Sequence, residues 1–130
     1  MRYKKYQREN PWVEECRNYV LKTHFSLVVD GKKLDAERVK ELLYGMRIRD
    51  ATRLLRGKRV VLHIGKDTYN IPENNISQLI HQLKNYIDVV SVRCADRMIT
   101  GIPINYGDDP ASELKRFLKP YKIRNILSYF

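Results

Sequence analysis

Apolar residues recur along this chain with two different periods, and each change of period marks an element. Trp12, Cys16, Tyr19 and Val20 recur at helical spacing behind Pro11, a residue suited to a first helical turn. Residues 25–29 (Phe-Ser-Leu-Val-Val) read as a strand, closed by the turn signal Asp30-Gly31. A helix follows, with Asp35 as N-cap and Leu34 and Val39 spaced as a hydrophobic staple. Its stripe is Val39, Leu42, Leu43 and Met46, and Gly45 is its stop. A second helix spans residues 47–56, turns Ile48, Ala51, Leu54 and Leu55 inward, and ends at Gly57. Residues 58–64 and 68–71 read as two strands around the turn Gly65-Lys66-Asp67.

Residues 75–86 form a third helix with the stripe Ile76, Leu79, Ile80, Leu83 and Tyr86, and Asn75 with Gln78 resembles a capping box. The β-branched run 87–94 then predicts a strand, with 98–104 as its partner across Ala95-Asp96-Arg97. A last helix covers residues 110–118 and is stopped by Pro120, while the tail 121–130 fits strand or helix equally. Hairpins interspersed with helices predict an α+β fold. The expectation is one domain over residues 11–130, with a mixed or antiparallel sheet of about five strands and four to five helices. Residues 1–10 are expected to form a basic mobile arm, in which Lys4 and Lys5 stand between Tyr3 and Tyr6.

Composition narrows the class. At 130 residues the chain suits one domain, and 43% hydrophobic against 31% charged residues describes a globular protein. No segment is apolar for long enough to cross a bilayer, and the N-terminus lacks the apolar stretch of a signal peptide. Cys16 and Cys94 have no metal-ligand spacing and read as reduced thiols, which with the missing signal peptide predicts a cytoplasmic protein.

The net charge of +10 is unevenly distributed: residues 1–59 carry +8, residues 60–114 carry −3 and residues 115–130 carry +5. Such basic segments gather polyanions, nucleic acid above all, and an acidic protein partner is the alternative. The candidate contacts are Lys4, Lys5, Arg47, Arg49, Arg53, Arg56, Lys58, Lys115, Arg116, Lys119 and Lys122.

Tyr106-Gly107-Asp108-Asp109 has the letters of a polymerase metal-binding turn. That chemistry needs a hairpin, whereas Asp109 as N-cap, Pro110 next and Glu113 in the first turn make a helix start. An Asp…Glu-x-Lys nuclease set would use Asp108 or Asp109 with Glu113 and Lys115, but on a helix Glu113 and Lys115 point about 200° apart. His24, His63 and His81 lack metal-binding spacing, His63 reading as a satisfied core residue and His81 as lying on a polar flank. No catalytic residue, metal or cofactor is therefore assigned.

The stretch 34–58, "LDAERVKELLYGMRIRDATRLLRGK", resembles a helix-turn-helix DNA-binding motif. Its helices are residues 36–43 and 47–56, and its turn is Tyr44-Gly45-Met46. The resemblance implies that the second helix presents Arg49, Arg53 and Arg56 to a major groove, where arginine reaches guanine edges or phosphates. The expected function is non-catalytic nucleic-acid binding, DNA or RNA, as in a small regulator or a replication or transcription accessory. The alternative is a module or inhibitor that grips an acidic or nucleic-acid-handling protein.

Overall fold

Pro11 opens helix α1 (Pro11–Thr23), where its missing N–H leaves no bond unmade and its fixed φ suits the first turn. A computed structural model describes residues 11–101 and 109–123; the arm 1–10, with Lys4 and Lys5, lies outside them. The buried stripe of α1 is Val13, Cys16, Val20 and Leu21. It is rotated from the expected one, because Trp12 and Tyr19 are 41% and 60% exposed. Turning the compact Val13 and Leu21 toward the interior swings the adjacent rings outward.

After α1 come β1 (Ser26–Val29), β2 (Lys32–Lys33), α2 (Ala36–Tyr44), α3 (Ile48–Leu55), β3 (Val60–Ile64) and β4 (Asp67–Ile71). A 3₁₀ turn (Glu73–Asn75) leads into α4 (Ile76–Thr100). Beyond it lie α5 (Pro110–Leu118), a second 3₁₀ turn (Lys119–Tyr121) and β5 (Lys122–Ile123). The strands form one antiparallel sheet in the order β2-β1-β3-β4-β5. This is the single α+β domain the sequence predicts.

Register explains which face of the sheet is covered. Leu27 pairs with Leu62 and Leu62 with Tyr69, while Val29 pairs with Val60 and Val60 with Ile71. All six are buried and belong to one core with Val39, Leu42, Leu43, Leu79, Leu83 and Ile87 from the helices. The alternate rows, Ser26–His63–Thr68 and Val28–Val61–Asn70, point the other way and none of their members is buried.

The largest departure from expectation is α4. Residues 87–94 are not a strand, and residues 98–100 are not its partner; the helix that starts at Ile76 runs unbroken to Thr100. Residues 102–104 lie outside the described residues. Ile87, Ser91 and Ala95 are almost inaccessible and fall one helical turn apart, continuing the row Ile76, Ile80 and Leu83. That packing overrides the β preference of Val89, Val90 and Val92. Gly101, at φ 73°, ends the helix in a left-handed conformation that glycine adopts without strain. The expected capping box is not made: the Asn75 side-chain amide donates instead to the Tyr121 hydroxyl.

The cysteines also depart from expectation. Cys16 and Cys94 form a disulfide across a sequence separation of 78, with Cα atoms 6.0 Å apart. Helices α1 and α4 run antiparallel, since Cys16 meets Cys94 while His24 Nδ1 lies 2.7 Å from the Tyr86 hydroxyl. This crossing brings together two residues whose spacing in sequence gives no hint of pairing.

Candidate nucleic-acid interface

The helix pair is built as the sequence implies. The Asp35 carboxylate accepts a hydrogen bond from the Arg38 N–H at 2.8 Å and caps α2. At the other end the Gly45 N–H donates to the Glu41 carbonyl at 2.9 Å. Gly45 has an ordinary φ of −93°, so the turn does not need glycine for a left-handed backbone. It needs glycine for space, because a Cβ there would lie 2.9 Å from the Glu41 carbonyl oxygen.

In α3, Ala51 and Leu55 are buried and Ile48 is half-buried. Leu54 does not join them: it is 44% exposed, at the margin of a face that Leu55 fills. Arg47, Arg49, Arg53, Arg56 and Lys58 are all exposed. Among the described residues none of them forms an ion pair.

The loop after α3 holds these cations in place through its backbone. Arg56 N–H donates to the Arg53 carbonyl at 3.3 Å, and Lys58 N–H to the Leu55 carbonyl at 3.1 Å. Gly57, at φ 76°, donates its N–H to the Glu73 carboxylate at 2.7 Å. Arg59 N–H donates to Asp30 at 2.8 Å, and the Asp30 N–H returns a bond to the Arg59 carbonyl at 2.8 Å. The two nearby carboxylates thus accept from backbone and leave the Arg56, Lys58 and Arg59 side chains free of ion pairs among the described residues.

Two further cations belong to this surface and were not singled out from the sequence. Arg59 is exposed at the mouth of β3. Lys32 pairs with Val29, which pairs with Val60, so Lys32 sits at the same end of the sheet. The run Arg56-Gly57-Lys58-Arg59 is the signal for the first; the second becomes a neighbour only through strand pairing.

Charge elsewhere is arranged differently. Arg17 donates to the Glu14 carboxylate at 2.6 Å, lies 3.9 Å from Asp88 and covers the Tyr44 ring at 4.7 Å. Lys40 donates to Glu14 and, at 3.2 Å, to Asn18, so this residue of α2 is committed to α1. The Lys40 bond, helped by Arg17, holds the Glu14 carboxyl below its ordinary range. Tyr44 donates to Asp88 at 2.6 Å; burial, and then the Asp88 charge, push its hydroxyl far above the usual phenol range.

The C-terminal cations are distributed along another edge. Lys115, Arg116, Lys119 and Lys122 are exposed, on α5, the second 3₁₀ turn and β5. Lys122 is paired with Asp67 at 3.2 Å. These elements pack on α4 and β4, whereas the α3 set leads into β3.

The Tyr-Gly-Asp-Asp letters resolve as capping on the part that is described. Asp109 accepts a bond from the Ala111 N–H at 3.1 Å, and Pro110 occupies the first helical turn. Asp108 lies outside the described residues. His63 is satisfied by the Thr68 hydroxyl at 3.0 Å, on the open sheet face rather than in the core. His24 Nδ1 shares a hydrogen bond with the Tyr86 hydroxyl, and burial lowers the His24 pKa below the ordinary 6.5. Among the described residues no three His, Cys, Asp or Glu side chains gather as a metal site would require, and no helix is long and apolar enough to cross a membrane.

Compared with known proteins, the chain matches no family model, no curated protein and no solved structure.

Proposed function

We propose that this chain binds nucleic acid, without catalysing a reaction, through the outer face of α3 and the loop 56–59. The observation that carries the reading is the contrast in charge pairing. Where Arg17 and Lys40 meet carboxylates they are bonded to them, yet Asp30 and Glu73, beside the basic loop, bond to its backbone. The exposed cations of α3 and the loop outnumber the one carboxylate of α3, Asp50, and form no ion pair with it among the described residues; such an excess of like charge raises the self-energy of the fold, and a polyanion relieves it. The helix-turn-helix likeness supports the same reading, with α3 as the helix that meets the groove. Lys115, Arg116, Lys119 and Lys122, with Lys4 and Lys5 of the arm, are proposed as secondary phosphate contacts.

The test is binding to random-sequence DNA and RNA across salt. If three to six phosphates are neutralised, log K falls against log salt with a slope of roughly −3 to −5. Affinity that ignores salt, or no binding at low salt, overturns the reading.

Leu54 favours a second reading. An exposed leucine beside Arg53 is the kind of apolar anchor that a protein interface uses. In that case the basic face grips an acidic protein, and a pull-down survives nuclease treatment. The cytoplasmic expectation rests partly on free thiols; the disulfide removes that support, and the redox state of Cys16 and Cys94 in cells tests the compartment.

A further inference from the structure

The buried apolar residues fall into two groups, with the fully buried Ser91 between them on α4. The main core takes in the sheet, α2, α3, α5, the C-terminal part of α1 through Val20 and Leu21, and α4 as far as Ile87. Among the described residues a satellite group contains Val13, Cys16 and Ala95, with Cys94 packed against them. Between and beyond these, Val92, Met98 and Ile99 of α4 and Trp12 of α1 lie open to solvent. The last turns of α4 and the first turns of α1 therefore extend past the main core, and the Cys16–Cys94 bond joins them.

We propose that this disulfide is a redox-sensitive staple that keeps the α1–α4 extension folded, while the rest of the domain folds without it. Among the described residues the buried apolar side chains of this segment are few, Val13, Cys16 and Ala95, and a segment so packed opens at low free energy unless it is tied. The extension also carries Glu14, one residue past Val13, which holds Lys40 of α2. Opening it loosens the attachment of the helix pair to the domain.

The direction of attack follows from burial. Cys16 is 2% exposed and has the Met98 sulfur 3.7 Å from its own; a disulfide sulfur bears no hydrogen, so this is a packing contact. Cys94 is half-buried and is the accessible partner. A thiolate of an incoming dithiol attacks the Cys94 sulfur, forming a mixed disulfide and releasing Cys16 as thiolate. The second thiol of the reagent then displaces Cys94, and the dithiol leaves oxidised while the protein holds two reduced cysteines.

The experiment is hydrogen exchange on the whole protein before and after treatment with a water-soluble dithiol under native conditions, with Cys16→Ala/Cys94→Ala as a second route to the open state. The expected result is loss of nearly all amide protection in residues 15–17 and 91–100, while residues 60–71 and 76–87 keep at least about a hundredfold protection. Three results overturn the proposal: loss of protection in all segments together, including an unfolded double variant; retention of protection in the extension; or a bond that the dithiol does not reduce while the protein stays folded.

Discussion

Two clusters of charge in this molecule are made from the same residue types and end in opposite states. At the α1–α2–α4 junction, Arg17 and Lys40 are drawn onto Glu14 and Asp88, with Tyr44 beneath them. On α3 and the loop after it, Arg47, Arg49, Arg53, Arg56, Lys58 and Arg59 face water; Asp30 and Glu73 accept from backbone N–H groups of the loop, and Asp50 stands exposed in the first turn of α3. The first cluster ties three helices to one another. The second forms no ion pair among the described residues, and its hydrogen-bonded backbone sets where the cations stand. The difference separates charges bonded within the fold from charges exposed to solvent, and it does so by geometry rather than by counting lysines and arginines.

The strongest way to break this comparison is to change Arg49, Arg53 and Arg56 together to Gln. Nucleic-acid affinity is expected to fall about tenfold or more, and the salt slope to shrink by about one unit for each arginine that touches phosphate. Stability should change by about 0.5 kcal/mol or less per site, since all three are exposed. Titrations at two salt concentrations with thermal melts decide. A variant that unfolds places these arginines in the first class of charge, and one that binds like wild type moves the contact surface elsewhere.

The converse change is Lys40→Met, which keeps the packing stem and removes the charge. The junction should lose about 1 kcal/mol, because Glu14 and Asn18 lose their shared donor, while nucleic-acid affinity stays within about twofold. Urea melts and the same titrations test both halves.

Acid should act on the junction and its neighbour His24 in two stages. His24 has a folded pKa depressed below 6.5, so the unfolded chain takes up its proton more readily. Its contribution is full above that value and is lost as pH falls from there toward the folded value. Glu14 is depressed below 4.5, and its contribution is likewise present above that value and lost as pH falls further. Urea midpoints measured from about pH 8 to about pH 3 should decline in both windows, with His24→Gln flattening only the upper one and Glu14→Gln only the lower.

The smallest effect is expected at Asp109→Asn. Asparagine caps as well as aspartate does, so stability should move by about 0.5 kcal/mol or less and binding should be unchanged. A magnesium-dependent nuclease activity lost in this variant would contradict the capping role.

Most of the fold was legible because apolar period and caps agreed: Asp35, Gly45, Gly57, Asp109 and Pro110 mark element ends where the structure has them. The misreading at residues 87–100 has a physical source. The helical row there runs through Ser91 and Ala95, small residues that a search for large apolar side chains passes over, while the eye-catching valines lie off that row. The disulfide was hidden for a different reason, since only the antiparallel crossing of α1 and α4 makes the two cysteines neighbours. On the candidate surface, exposure of the arginines followed from helix geometry. The bonding of Asp30 and Glu73 to the loop did not, because carboxylate–backbone pairs leave no periodic trace in sequence.

The outermost strand β2 consists of two lysines, paired with Val28 and Val29 on one side. A sheet that ended instead on the four-residue strand Ser-Leu-Val-Val would offer another chain a β-branched edge on which to stack. Two positive charges and a length too short to template a neighbour make that edge a poor seed for self-association. Replacing Lys32 and Lys33 with valine would leave the fold's interior untouched and turn this border of the sheet into a site of aggregation, a cost that would show in solubility at high concentration rather than in any melting curve.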